Sequence, residues 1–235
     1  MAGQQTGTAG VELAASVPEP LTLADIAARA AAQNLVVLGG FAPGPEDGLP
    51  ADISTLLLLG PAEPGFWPHF TAQPEWHDGS PDPMDRWSRR VIGGMACDLG
   101  AKAYFPFGGP PYHPFYRWAL KTGRVWDSPV RLLVHQDQGL FVSFRGALAL
   151  RQTVDLPPPA PRVCDDCAKP CLTACPVAAL GSGGYDVPGC HIFLNTAEGD
   201  ACMSMGCAVR RACPVSQGYA RMAEQSAYHM GQFHR

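Results

Sequence analysis

The chain has 235 residues, of which 46% are hydrophobic and 16% are charged, and its formal net charge is −4. This composition excludes a disordered chain and supplies a packed core for one large domain or two small ones. The acidic balance gives no electrostatic footprint for nucleic acid or for an anionic membrane. The sequence contains no run of about 18 apolar residues, which is the length needed to span a bilayer. The N-terminus also lacks the basic start and apolar stretch of a secretory signal. We therefore expect a cytoplasmic protein with no nucleic-acid or membrane partner.

The first quarter of the chain predicts a tail that is followed by a helix and two strands. Residues 1–20 are rich in Gly, Ala, Gln and Thr without periodicity, which predicts a disordered tail. Thr22 is a helix-capping residue, so we expect a helix over residues 23–33. The continuous apolar runs 35–39 and 55–60 each end in glycine and indicate buried strands.

The middle of the chain continues this alternation. Residues 84–99 place apolar side chains on one helical face, and residues 102–107 follow as a strand. A short helix is expected over residues 114–121, where proline stands early. The apolar runs 130–135 and 140–145 are separated by Gln-Asp-Gln-Gly, which predicts a β-hairpin.

The elements divide the chain into two structured parts, and the predicted fold class is α+β. Strands that alternate with helices favour an α/β domain over residues 21–154. Residues 155–162 include four prolines and predict a stiff, extended linker. Residues 163–235 form a cysteine-rich module that is expected to end in a helix over residues 216–228.

The placement of the cysteines is the strongest chemical signal. In a cytosolic chain a dense cysteine framework is more often metal-binding than disulfide-linked. The first cysteines have the spacing Cys-x2-Cys-x3-Cys-x3-Cys-Pro, similar to the bacterial ferredoxin run, in which three thiolates hold one iron–sulfur cubane and the fourth ligates the other. A second Cys-Pro would supply the reciprocal ligand, and two cubanes need eight thiolates. The window contains eight cysteines: Cys164, Cys167, Cys171, Cys175, Cys190, Cys202, Cys207 and Cys213.

The spacing leaves alternatives to two [4Fe–4S] clusters. The second gap has three residues where the ferredoxin run has two, so zinc or a single cluster stays open. Structural zinc usually uses paired Cys-x2-Cys knuckles with a longer gap between them. The ninth cysteine, Cys97, falls on the face of its predicted helix opposite the apolar stripe, and we interpret it as a free thiol without a role.

From about residue 80 onward the chain resembles the epoxyqueuosine reductases and the related reductive dehalogenases and cobalamin-processing proteins. The matching residues are the first cysteine run, the isolated Cys190, and the closing Gly206-Cys207 and Cys213-Pro214. Arg210 stands where the family has its middle closing cysteine, so Cys202 is expected to substitute. The resemblance implies a nitroreductase-like α/β domain followed by a ferredoxin-like module. It also implies two ligand sets: Cys164, Cys167, Cys171 and Cys213 for one cluster, and Cys175, Cys190, Cys202 and Cys207 for the other.

The resemblance further implies a corrinoid, cobalamin, in the N-terminal domain. The epoxide-reducing members carry a proton-donating Asp in an Asp-Tyr-His motif, and the similar stretch here is Pro111-Tyr112-His113. Because proline cannot transfer a proton, epoxyqueuosine reduction by that route is not expected. Tyr112 and His113 remain candidate acid–base residues, the alternative being a packed tyrosine and a solvated histidine.

Three further residues are candidate cofactor contacts. Arg86 and Arg89 lie on the polar face of their predicted helix and could hold a phosphate or the rim of a large cofactor, or could form an ordinary solvated face. His135 follows a predicted strand and is either a cofactor contact or a hydrogen-bonded structural histidine.

The sequence thus predicts an iron–sulfur protein whose two [4Fe–4S] clusters pass electrons to or from an acceptor site in the N-terminal domain. Its partner would be a redox protein or a small-molecule electron acceptor. One alternative is a corrinoid-dependent reductase. Another is a non-catalytic cysteine-rich module stabilised by zinc. Whether the chain is an iron–sulfur oxidoreductase or only an electron carrier stays open.

Overall fold

The computed structural model describes residues 21–235 and is a mixed α+β structure. The tail predicted over residues 1–20 lies outside this range. Within residues 21–235 no helix is long and apolar enough to cross a membrane. The helices are α1 Leu23–Ala31, α2 Phe66–Thr71, α3 Pro74–His77, α4 Pro83–Asp98, α5 Phe115–Lys121, α6 Val187–Leu194, α7 Asp200–Met205, α8 Ala208–Ala212, α9 Pro214–Gly218 and α10 Ala223–Phe233. The strands are β1 Leu35–Phe41, β2 Thr55–Pro61, β3 Lys102–Tyr104, β4 Val125–Asp127, β5 Leu133–His135, β6 Gly146–Leu150, β7 Leu180–Gly181 and β8 Gly184–Tyr185.

The main sheet has four strands in the order β1-β2-β6-β3, and each pair is antiparallel. Residues 21–154 therefore have α+β organisation, without the parallel strands of an α/β domain. Every residue of β2 is buried because this strand lies inside the sheet and both faces are covered. Leu57 and Leu59 face a core under α1, α2 and α4, whereas Leu56 and Leu58 face a second core under α5.

The two best-defined helices form where local sequence favours them. Thr22 and Asp25 make a reciprocal capping box at the start of α1, which satisfies backbone N–H groups that a helix end leaves free. In α4 a proline occupies the first turn, and the predicted apolar stripe is buried. Trp87 in this stripe is fully buried and packs edge-on against Phe66 and Phe70. The predictions of both helices are confirmed to within two residues.

The predicted hairpin is wrong. Strand β5 pairs with β4 on its N-terminal side, and residues 140–145 form no strand. Their backbone groups bond elsewhere: the Leu140 N–H donates to Ser216 Oγ at 2.8 Å, and the Arg145 N–H donates to the Leu59 carbonyl at 2.8 Å. The Gln-Asp-Gln-Gly turn signal is a local feature of the sequence, whereas the hydrogen-bond partners Ser216 and Leu59 are distant in sequence. The strand expected over residues 102–107 is also shorter, since β3 ends at Tyr104.

The C-terminal helix is divided into α9 and α10. Ala220 adopts a left-handed conformation with φ of 57° and ends the first helix. The Tyr219 hydroxyl donates to the Pro61 carbonyl at 2.7 Å, so this corner is attached to the end of β2. The single helix predicted over residues 216–228 is therefore wrong, because a long-range contact overrides the local helical pattern.

Residues 155–162 form no helix or strand, and they lie against the N-terminal part. Leu156 packs against the first core, and the Ala160 N–H donates to the Gly123 carbonyl at 3.0 Å. A third core then joins the N-terminal part to the cysteine-rich part. It contains Val130, Val134 and Leu140 together with Cys171, Leu180, Val209 and Cys213.

The contact at Gly139 is tight enough to test. Gly139 has φ of +56°, and a Cβ at this position would lie 2.4 Å from the Ser216 backbone nitrogen. Gly100 has a similar φ of +60° but no atom within 4 Å of such a Cβ. Replacement by alanine adds left-handed backbone strain at both positions, so the two variants differ only in the steric clash at residue 139.

We expect Gly139→Ala to lower the free energy of unfolding by about 2 kcal/mol more than Gly100→Ala does, which is within the usual range for overpacking. Denaturant titration of the two variants measures this difference. Equal destabilisation would show that residue 139 and Ser216 are not in close contact.

Candidate metal centres

The first three cysteines are brought together by a tight turn. Lys169 has φ of 56°, and its backbone N–H donates to the Sγ atom of Cys167 at 3.3 Å. This left-handed residue lies within the longer gap and turns the chain back before the 3-10 helix Pro170–Leu172, which carries Cys171. The extra residue in the second gap is thus accommodated by a local turn.

Cys213 completes a first group of four cysteines. It immediately precedes α9, in which a proline occupies the first turn. The four border a cavity of about 360 Å³, which also contacts Val134 and Leu140 of the N-terminal part. We call this group the first cysteine set: Cys164, Cys167, Cys171 and Cys213.

The other four cysteines border a second cavity of about 240 Å³. Cys190 lies in α6, where the Asp186 side chain accepts from the Gly189 N–H at 3.0 Å and caps the helix. Gly206, with φ of 91°, turns the chain between α7 and α8. This second cysteine set comes from four separate places in the chain: Cys175 before a proline, Cys190 in α6, Cys202 in α7 and Cys207 directly before α8.

The electrostatics of the thiols follow the same division. Burial raises the pKa of Cys164, and Cys213, Cys167 and Cys171 raise it further. Burial also raises the pKa of Cys190, the Tyr185 hydroxyl lowers it, and Cys207, Cys175 and Cys202 raise it further. Cys164 and Cys190 are thus each influenced by the other cysteines of their own set, and a bound cation would be needed to hold several thiolates together.

Each cysteine set supplies four thiol groups. Each cavity has four cysteines, which is the number of thiolates that a [4Fe–4S] cluster requires. Among residues 21–235, no three or more His, Cys, Asp or Glu side chains are arranged to hold a metal ion. The four thiols of each set instead border a cavity, and all nine cysteines of the chain are free of disulfides. Cys97 is exposed, in agreement with its predicted position.

Arg210 extends into the second cavity beside Cys207. Its guanidinium is buried, and Nη1 donates to the Leu140 carbonyl. Burial lowers the pKa of Arg210, while the neighbouring Cys207 thiolate opposes this shift. In the same lining, the Tyr185 hydroxyl lies 3.6 Å from the Sγ atom of Cys190. A buried guanidinium would lower the cost of collecting several negative thiolates in one place.

Tyr112 and His113 lie away from both cysteine cavities, whose linings do not include them. The Tyr112 side chain is 64% exposed. His113 is exposed at one edge and stacks on Trp118, with ring centroids 5.7 Å apart. These contacts describe an exposed tyrosine and a stacked histidine, and the acid–base role stays a prediction.

Arg86 and Arg89 lie on α4, as expected, but in different surroundings. Arg86 forms a bidentate ion pair with Asp78 at 2.6 and 2.7 Å and also donates to the Glu75 carbonyl. Arg89 stacks over the Phe107 ring at 5.4 Å. Arg86 is thus engaged with the preceding loop, and the cofactor role of both arginines stays a prediction.

His135 is hydrogen-bonded on both ring nitrogens. Its Nε2 lies 3.1 Å from the Leu38 carbonyl, and Nδ1 accepts from the backbone N–H groups of Asp137 and Gln138 at 3.1 and 3.3 Å. This network assigns the proton to Nε2 of a neutral imidazole. Burial lowers the pKa of His135 below its usual value. These bonds support the structural interpretation of this residue.

The lowered pKa of His135 has a consequence for stability. The unfolded chain takes up a proton near pH 6.5, whereas the folded chain resists it, so the free energy of unfolding falls as the pH drops below about 6.5. We expect His135→Gln to destabilise the protein at pH 7.5 and to reduce this pH dependence, and His77→Gln, at an exposed site, to leave both unchanged. Denaturant titrations at pH 7.5 and 6.0 make the comparison, and an unaltered slope in His135→Gln would contradict it.

Sequence reasoning missed a buried polar group beside the second cavity. Arg221 lies over the Phe141 ring at 5.5 Å, and the carboxyl group of Glu63 is its acidic neighbour. Burial lowers the pKa of Arg221 to about 10, so it is charged at neutral pH. His229 is also buried here, and burial lowers its pKa well below the usual value. The sequence carries no local signal for this group, because the helix end at Ala220 is seen only in the structure.

The chain was also compared with known proteins. No family model matches it, and no curated protein or solved structure is significantly similar to it.

Proposed function

We propose that the protein binds two [4Fe–4S] clusters, one at each cysteine set, and that it transfers single electrons. The observation that carries the proposal is the division of eight cysteines into two groups of four, each bordering its own cavity. Cys175 stands in the first run yet borders the second cavity, and Cys213 stands last yet borders the first. This crossing is the ligation pattern of two-cluster ferredoxins.

The cavities favour a cluster of several atoms over single zinc ions. Zinc draws four donors to about 2.3 Å from one point. Cavities of about 360 and 240 Å³ bordered by thiols have room for a larger group. Bound clusters would supply one-electron chemistry with little reorganisation at the metal.

The chain's own residues would tune these clusters. The cysteine thiolates would bind iron, and the apolar walls of each cavity would exclude water from the sulfur atoms. Arg210 would offset the negative charge of a four-thiolate site at the second set. Tyr185 would donate to the Cys190 sulfur, which is one way in which proteins adjust cluster potentials.

The proposal includes an electron-accepting site in the N-terminal part. Val134 and Leu140 contact the first cavity, and residues 141–143 line the second. A short path between each cysteine set and the N-terminal part supports electron transfer between them. In this proposal residues 163–235 are a ferredoxin-like module and residues 21–154 a nitroreductase-like domain, with a redox protein or a small molecule as partner.

Anaerobic purification followed by iron, sulfide and zinc analysis tests the proposal. We expect about eight iron and eight sulfide per chain. One or two zinc per chain without iron would support the metal-stabilised module and overturn the proposal.

The corrinoid alternative is tested on the same preparation. Hydroxocobalamin is added, free corrinoid is removed by gel filtration, and the protein peak is examined by absorption spectroscopy. Retention of about one corrinoid per chain would make the protein a corrinoid-dependent reductase.

A further inference from the structure

The second cysteine cavity extends beyond its four cysteines to residues of the N-terminal part. Its lining includes Phe141, Val142 and Ser143, and from the C-terminal segment Arg221 and His229. A water molecule needs roughly 10–15 Å³ of such space. The cavity of about 240 Å³ is therefore many times the space that one water molecule needs, and it extends past the four cysteines to the N-terminal lining, where a small molecule would lie beside a cluster.

Three side chains in this lining have buried polar atoms without a partner. They are Nε and Nη1 of Arg221, Oγ of Ser143 and Nε2 of His229, none of which has a hydrogen-bond partner among residues 21–235. Buried polar groups are nearly always hydrogen-bonded, and each one left unpaired costs about 1–3 kcal/mol. A ligand that offers acceptor atoms would satisfy them together.

The charge of the site indicates the kind of ligand. Arg210 and Arg221 both contribute buried guanidinium groups to the lining, and Nε and Nη1 of Arg221 are free of hydrogen bonds. The acidic neighbour of Arg221 is Glu63, whose carboxyl oxygens are also buried without a partner and whose pKa is raised by burial, so it does not occupy the two guanidinium donors. Arginine donors bind carboxylate and phosphate oxygens more strongly than neutral acceptors. Other parts of the lining are apolar, with Phe193, Leu194 and Met230 among them. A small carboxylate with an apolar body combines both properties.

We propose that this cavity binds a small organic carboxylate, with its charged end at Arg221 and Ser143 and its apolar body against Phe193 and Met230. The proposal rests on the proposed function in that the ligand would lie beside the second cluster, at the electron-accepting site. The binding residues belong to the chain itself, so binding is measurable whether or not iron is present.

Calorimetric titration of the full-length, anaerobically purified protein tests the inference. The probes are hexanoate and benzoate, and their amides hexanamide and benzamide serve as neutral controls of the same shape. We expect each carboxylate to bind at least tenfold more tightly than its amide. In cluster-loaded protein, benzoate is also expected to alter the electron paramagnetic resonance signal of one cluster and to leave the other unchanged.

Three variants locate the binding site. Arg221→Gln is expected to weaken benzoate binding at least tenfold, and Arg151→Gln, which changes an exposed arginine paired with Asp52, to leave it unchanged. Ser143→Ala removes one hydroxyl with little risk to folding and is expected to weaken binding about three- to tenfold.

The outcomes separate this inference from the proposed function. If iron is present and neither carboxylate binds more tightly than its amide, the carboxylate site is overturned and the cluster proposal is retained. If iron is absent but benzoate binds and Ser143→Ala weakens it, the carboxylate site stands and the cluster proposal is wrong. If Arg221→Gln and Arg151→Gln change the affinity for benzoate equally, the proposed carboxylate site is also overturned.

Discussion

Replacing Cys175 with serine is expected to lower the iron content from about eight to about four atoms per chain. Cys175 borders the second cavity with Cys190, Cys202 and Cys207, although it follows the first three cysteines in sequence. Loss of one thiolate should therefore destroy the cluster at the second set and leave the first set able to hold its own. Iron and sulfide analysis of the anaerobically purified variant measures the result.

Double variants make the ligand sets directly testable. Cys175→Ser combined with Cys202→Ser removes two ligands of one cluster, so it should retain about four iron atoms, as the single variant does. Cys175→Ser combined with Cys171→Ser removes one ligand from each cluster and should leave almost no iron. Cys97→Ser changes an exposed thiol outside both sets and should keep the full content. Equal loss of both clusters in Cys175→Ser, with circular dichroism unchanged, would contradict the crossed ligation.

Arg210→Gln is expected to make the reduction potential of one cluster more negative by about 40–90 mV. Reduction of a bound cluster would add one negative charge, which the buried guanidinium beside Cys207 would stabilise. A nearby unit charge in a partly buried site contributes about 1–2 kcal/mol, and about 1.4 kcal/mol corresponds to 59 mV for one electron. Redox titration followed by electron paramagnetic resonance resolves the two clusters.

The neighbouring arginine provides the control for this potential. Arg211 donates to the Gly206 carbonyl and does not line the second cavity. Arg211→Gln should therefore shift neither potential by more than a few tens of millivolts. A shift of the same size in both variants, or a shift of both clusters in Arg210→Gln, would show that Arg210 does not act on the second set specifically.

Some elements were predictable because their signals are local. The capping box of α1 and the apolar stripe of α4 lie within a few residues, so both helices were predicted nearly to their ends. The continuous apolar run of β2 also indicated its burial on both faces. The same residues would favour these helices and this strand in many different folds.

The errors arose where distant partners compete with local patterns. Residues 140–145 carry a hairpin signal, yet their backbone bonds to Leu59 and Ser216. The break between α9 and α10 comes with a contact from Tyr219 to Pro61. In both cases the hydrogen-bond partner lies more than 70 residues away, beyond the reach of any sequence window.

The identity and spacing of the eight cysteines, together with the likeness of their first run to a ferredoxin motif, were determined by the sequence alone. The tertiary structure decides which side chains border each cavity, and it buries Arg210 beside Cys207. It alone also collects Ser143, Arg221 and His229 around one cavity. The physical reason is that ligand spacing is a property of the chain, whereas burial, charge neighbourhood and unpaired hydrogen-bond donors exist only once distant segments are packed together.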